Sequence, residues 1–137
     1  MSIILSIKPC FSDQIYLLNK PLELRKKLGK YFTVGRTLYI YSSSPVKAIT
    51  GSAEIEAIER LPVASIKRHY LKLACIGEVA FDSYYQGHDE GSILWLKNVK
   101  KFNNPIILEE LRNYGFIPPQ SFSYLKGDLE VFIESKK

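Results

Sequence analysis

Cysteine and histidine are scarce in this chain, and their scarcity closes off most metal and thiol chemistry. The two cysteines, Cys10 and Cys75, stand 65 positions apart, with no CxxC pair and no Cys/His spacing of the kind a zinc site needs. They read as lone buried thiols, and no metal or other cofactor is expected. His69 has no partner spacing and reads as a packed or solvent-edge residue. No apolar run approaches the ~18 residues of a membrane span, and Met1 to Phe11 is too short and too regular for a secretion signal. The expectation is a cytoplasmic protein with no membrane partner. Repeats, low-complexity tracts and long linkers are also missing, which points to one domain over residues 1–137.

Acids are scarce in one place in particular. Residues 20–47 carry Lys20, Arg25, Lys26, Lys27, Lys30, Arg36 and Lys47 against the single acid Glu23, a local balance of +6 in a chain whose net charge is +5. The rest of the chain is therefore near neutral. Such a patch attracts phosphate-bearing partners through its field and through counterion release, unless it is only a solvated lysine-rich hairpin. Hydrophobic residues make up 46% of the chain, enough at 137 residues for a core without disulfide or metal staples.

The pattern along the chain is mixed. Ile3 to Lys8 alternates as a strand that Pro9 ends, and Phe11 to Leu18 reads as a short helix with Ser12 as N-cap and Asp13 in its first turn. Leu22 to Leu28 reads as a strand with Glu23, Arg25 and Lys27 on one face and Leu22, Leu24 and Leu28 on the other. Thr37 to Tyr41 is a further strand, followed by the hydroxyl-rich loop Ser42-Ser43-Ser44-Pro45. That loop is either an ordinary polar turn or an anion- or base-edge-binding one. Ala48 to Ile58 alternates cleanly, with Ile49, Gly51, Ala53, Ile55 and Ala57 on one face and a bulge or close backbone approach expected at Gly51.

From Pro62 to Gly77 the period becomes helical, about four turns, with Lys67, Arg68 and Lys72 as a second basic stripe. Phe81, Tyr84 and Tyr85 read as a short packing helix, with one tyrosine available for stacking if it reaches a cleft rim. Ser92 to Phe102 is a strand carrying Trp95. A turn at Pro105 leads to a helix over Leu108 to Asn113. Pro118 to Ser121 is extended, and Asp128 to Glu134 reads as a last strand with Leu129, Val131 and Ile133 inward. The sum is an α+β fold, a small mixed β-barrel of about six strands with two or three peripheral helices.

Lys20, Glu23 and Arg25 match the charged positions of a motif written roughly G-x-K-x-x-E-x-R, with Leu18 where the glycine usually stands. Upstream, Ile4 to Pro9 has the look of a first strand. Downstream, Ile40 to Gly51 looks like a central hairpin arm and Pro119 to Phe122 like a closing segment. On these residues the chain resembles the ASCH family of PUA-like β-barrels. The resemblance implies a barrel whose cleft takes RNA, single-stranded because its bases can be splayed out and read, or a modified nucleoside.

In that cleft Lys20, Arg25 and Lys47 would contact phosphate or sugar, and Glu23 would accept from an exocyclic amine. Ser42, Ser43 and Ser44 would finish the base-edge contacts, with Lys8, Gln120 and Ser121 also lining it and Trp95 as a stacking platform. An amidohydrolase acting on an acylated cytidine amine is the alternative, with Lys20 and Glu23 as candidate catalytic residues. The family's amidohydrolases carry threonine where this chain has Glu23, so a serine of 42–44 or a Glu23-activated water would have to replace it. A protein-interaction or transcription-cofactor adaptor is the third reading. The plainest is an exposed Glu23 ion pair with Arg25 or Lys20, worth about 0 to 1 kcal/mol.

Overall fold

The computed structural model describes residues 1–137. In chain order the elements are β1 (Ile3–Ile7), α1 (Pro9–Tyr16), β2 (Leu22–Arg25), β3 (Thr37–Ser42), β4 (Ala48–Pro62), α2 (Val63–Tyr70), α3 (Glu78–Tyr84), β5 (Glu90–Ile107), α4 (Leu108–Arg112), β6 (Phe122–Tyr124) and α5 (Gly127–Ser135). The six strands make one curled half-barrel sheet in the order β2-β5-β4-β3-β1-β6. Only β1 and β3 pair in parallel. This is the α+β barrel architecture expected, with five short helices around it in place of two or three. None of them is long and apolar enough to cross a membrane.

Strand alternation sorts the apolar residues into an inside and an outside. Ile3, Leu5, Ile7, Leu38, Ile40, Ala53, Ile55, Leu94 and Leu96 fill the curl. Ile4, Tyr39, Tyr41 and Ile49 face outward, against Leu108 and Leu111 of α4 and Ile133 of α5. At the other end of the sheet, Leu22, Leu24 and Ile93 face outward against Ile66, Phe81 and Tyr85 from α2, α3 and the residue after it. Because Leu22 and Leu24 turn outward, Glu23 and Arg25 must turn into the curl. That one inversion places a carboxylate and a guanidinium inside the barrel.

Several local readings change. The helix α1 begins at Pro9, not Phe11, since proline is preorganised for a first helical position and needs no N–H partner there. Ser12 is therefore no cap, and lies buried inside the helix. The strand from Leu22 stops at Arg25, so Lys27 is exposed and Leu28 packs inside the curl, away from Leu22 and Leu24. Ile49 does not share a face with Ala53 and Ile55, because the β4–β5 ladder slips three times, first between Ile49 and Gly51. Pro62 closes β4, and α2 lasts two turns rather than four. Lys67 is held by Glu78 at 3.2 Å and Asp82 at 2.9 Å, which neutralises part of the second basic stripe.

No turn occurs at Pro105, where β5 continues to Ile107. The proline sits in the stretch between Lys101 and Ile106 that has no ladder partner, where a missing N–H costs nothing. The segment read as a last strand is the helix α5. Leu129, Val131 and Ile133 fit period 2 over seven residues, but Ile133 is buried, Leu129 and Phe132 are half-buried and Val131 is 67% exposed. Asp128 and Glu130 suit the first turn of a helix. The final strand is β6, immediately before it. Both cysteines are free, yet Cys10 is exposed and Cys75 half-buried, so neither is the buried thiol expected.

Gly51 is where the barrel is tightest. A Cβ there would collide with the carbonyl oxygen of Lys100 and would lie 2.6 Å from the Tyr16 hydroxyl. Gly51→Ala is expected to lower stability by about 1 to 3 kcal/mol, the usual cost of overpacking. Urea denaturation checks it, and an unchanged midpoint would mean that β4 and β5 do not approach this closely.

Candidate functional site

The three motif residues form a buried ionic triad. Lys20 Nζ donates to the Ala74 carbonyl at 2.6 Å, lies 3.3 Å from Glu23 Oε1 and sits 5.0 Å from the centre of the Phe11 ring. Arg25 Nη2 donates to Glu23 Oε2 at 3.0 Å and to the Ser6 carbonyl at 2.9 Å. Arg25 Nη1 reaches Ser121 Oγ at 3.2 Å. The exposures are 2% for Lys20, 6% for Glu23 and 8% for Arg25, so the exposed surface pair of the plainest reading does not exist. Arg25 also ties the two ends of the open sheet together, linking β2 at one edge to β1 and to the segment entering β6 at the other.

Next to the triad lies a cavity of about 640 Å³. Lys8, Lys20, Arg25, Lys47 and Arg112 line it, opposed by the single acid Glu23. Phe11, Tyr41, Tyr84, Pro118 and Pro119 supply apolar wall. Burial pushes the Tyr41 hydroxyl above its ordinary range, with the Arg112 charge pulling the other way, so it remains a protonated donor. Burial raises Tyr84 likewise. The Tyr84 hydroxyl accepts from the Lys26 backbone N–H at 3.2 Å, and Lys26 Nζ lies 4.7 Å from the centre of its ring.

Of the residues singled out by sequence, Lys8, Lys20, Glu23, Arg25, Ser43, Ser44, Lys47 and Gln120 come together around this cavity. Ser42, Ser121 and Trp95 do not line it. Ser42 is buried behind it in a chain of hydroxyls, 2.8 Å from Ser12, 2.8 Å from Thr50 and, through Thr50, a further 2.7 Å to Tyr16. Ser121 is spent on Arg25. Trp95 pairs with Leu22 across the strands on the outward face, donates to Glu59 Oε2 at 2.7 Å and meets Tyr70 edge-on. Sequence reasoning missed Phe11, Tyr41 and Arg112. Tyr41 alternates with Ile40 and could have been drawn toward the serine loop it precedes, whereas nothing in the sequence marks Arg112, in the last turn of α4.

Comparison with known proteins decides the family. The family model described as Domain of unknown function (DUF365) matches residues 4–115. An ASCH domain-containing ribonuclease of Zymomonas mobilis is 28% identical over 127 residues, covering 91% of this chain and 84% of that protein. The crystal structure of ASCH from Zymomonas mobilis superposes with a TM-score of 0.89 at 26% identity, over 98% of this chain and 94% of that one. The chain belongs to the DUF365 family and is an ASCH domain.

The large ribosomal subunit protein uL22 of Ureaplasma parvum is 34% identical over 88 residues, which are 64% of this ASCH domain and 27% of uL22, so the chain spans about a quarter of that relative's length. Human THYN1, solved in complex with 5-methylcytosine containing DNA, shares the fold at a TM-score of 0.60 and 13% identity, over 98% of this chain and 95% of that one.

Two stability outcomes follow from the motif geometry. Glu23→Ala leaves Lys20 and Arg25 buried without their counter-charge, and is expected to destabilise the domain by about 3 to 5 kcal/mol. A loss below about 1 kcal/mol in urea denaturation would show that the triad is solvated. Leu18, in the family's glycine position, has φ +63° and a 76% exposed side chain. Leu18→Gly should relieve the left-handed strain without losing packing, raising stability by about 0.5 to 1 kcal/mol. A lower denaturation midpoint would contradict it.

Proposed function

We propose that this ASCH domain binds nucleic acid, specifically single-stranded RNA, by taking one unstacked nucleotide into the cavity beside the triad. One observation carries the reading: a cavity with five cationic side chains and one carboxylate, walled by aromatic rings, which suits a planar base attached to a phosphate. The roles follow exposure. Lys20 and Arg25 are engaged with Glu23 and backbone carbonyls, so they orient the wall, and the exposed Lys8, Lys47 and Arg112 take the phosphates. Ser43, Ser44 and Gln120 supply the polar atoms for a base edge. Both Glu23 oxygens already face cations, which leaves the carboxylate a weaker candidate for reading an amine than it was on sequence alone. The relatives, an ASCH domain-containing ribonuclease and a protein solved with 5-methylcytosine containing DNA, support a nucleic-acid partner.

A second reading, cleavage of the bound strand, is favoured by the Zymomonas ribonuclease and by the hydroxyls of Tyr41, Ser43 and Ser44 standing in a cation-lined cavity. Amide hydrolysis is less supported, because the position that carries the family's nucleophilic threonine is Glu23, and both of its oxygens are paired.

The test is fluorescence anisotropy with a labelled decauridylate at several salt concentrations, using Lys47→Gln and Arg112→Gln. Each variant should bind several-fold more weakly and lower the slope of log affinity against log salt by about 0.7. Their melting temperatures should match the wild type, since both side chains are exposed. Unchanged affinity and slope in both would overturn the cavity as the binding site. Incubating the same oligomer with EDTA and running it on a gel separates cleavage from binding alone.

A further inference from the structure

The cavity uses only part of the basic patch. Lys26, Lys27, Lys30 and Arg36, all in the connection between β2 and β3, lie outside its lining and in none of the six ion pairs. No acid occurs in sequence between Glu23 and Glu54. Four unpaired cations on one connection repel one another, so their concentration there has a cost that an anionic partner would remove.

The connection is also fixed and aromatic. Gly29 sits against Phe122 and Tyr124 with no room for a Cβ, and Phe32 is buried in the curl. Tyr31 is 39% exposed, its backbone N–H donates to the Tyr124 hydroxyl at 3.1 Å, and its ring stands edge-on to Tyr124 at 5.2 Å. Lys30 Nζ lies 5.5 Å and the Arg36 guanidinium 5.9 Å from that ring's centre. Arg36 is held by the Met1 carbonyl at 2.6 Å, whereas Lys30 is exposed and makes no hydrogen bond or ion pair. The connection meets the cavity at Lys26, whose ammonium lies over the Tyr84 ring that walls it.

We propose that residues 26–36 form a track for the single strand as it leaves the cavity, with phosphates on Lys26, Lys27 and Lys30 and one base stacked on Tyr31. The base displaces the Lys30 ammonium from the ring face, and the ammonium turns to the adjoining phosphate. This extends the nucleotide reading of the cavity and rests on it. A single-stranded nucleic acid is the occupant rather than an anionic membrane or an acidic protein, because the lysines are interleaved with an exposed ring held rigidly enough to stack.

Three ligands separate the parts: uridine 5′-monophosphate, which reaches only the cavity, decauridylate, and an abasic decamer of the same charge. Wild-type protein should bind decauridylate more tightly than the monophosphate. Lys27→Gln/Lys30→Gln should bind decauridylate about tenfold more weakly and lower the salt slope by about 1.4, leaving the monophosphate unaffected. Tyr31→Ala should cost about tenfold on decauridylate and little on the abasic decamer. Wild-type affinity and slope in both variants would overturn the track. Equal losses on decauridylate and the abasic decamer would remove the stacking role and leave a general polyanion surface, contrary to the proposal. If decauridylate binds no tighter than the monophosphate, the track is wrong and the cavity reading stands. If neither ligand binds, both fall.

Discussion

The charged triad inside the curl is the constraint on which the rest of the structure depends. Taking a lysine, a glutamate and an arginine out of water is costly, and three charges cannot cancel within themselves, since one cation is left over. The structure meets that excess with carbonyl oxygens. Lys20 takes Ala74 from the turn after α2, and Arg25 takes Ser6 from β1 and contacts Ser121 ahead of β6. Ala74 and Ser121 lie in segments outside the strand ladders, whereas Ser6 belongs to β1, which is paired on both sides. The triad therefore ties those two segments to β1 and β2 along one side of the cavity by hydrogen bonding to charge.

The same argument divides labour among the cations. A lysine at 2% exposure with a carbonyl and a carboxylate beside it has little left to give a ligand, and its removal would be felt first in folding. Exposed side chains on the rim and on the β2–β3 connection keep their water and exchange it for phosphate at small cost. Local charge balance cannot distinguish the two groups, because a buried and a solvated lysine are identical in sequence. Side-chain direction distinguishes them, and that follows from Leu22 and Leu24 taking the outward face.

Much of the fold was legible for that reason. β1, β3 and the first part of β5 lie where the sequence predicts strands, and the ladder shift beside Gly51 agrees with the bulge expected of a glycine within an alternating run. The motif spacing brought Lys20, Glu23 and Arg25 together correctly. Depth was not legible: an i, i+2 pair of charges looks the same on a surface hairpin as inside a barrel. The length of α2 was not legible either, since Leu73 continues the helical period although the helix stops at Tyr70 and residues 71–75 form a turn.

Trp95 and α5 failed for a simpler reason. A tryptophan on a strand has two faces to choose from, and the choice is made by its neighbour across the ladder, Leu22, which is committed outward by the core under α2 and α3. The commitment that sends Trp95 away from the cavity is thus the one that sends Glu23 and Arg25 into it. Similarly, α5 covers the outer face of β1 and β3 because Ile4, Tyr39 and Tyr41 must be shielded there, a need created by strands a hundred residues away. Where the sequence pattern was ambiguous between period 2 and period 3.6, the unmet apolar face of the sheet decided the outcome.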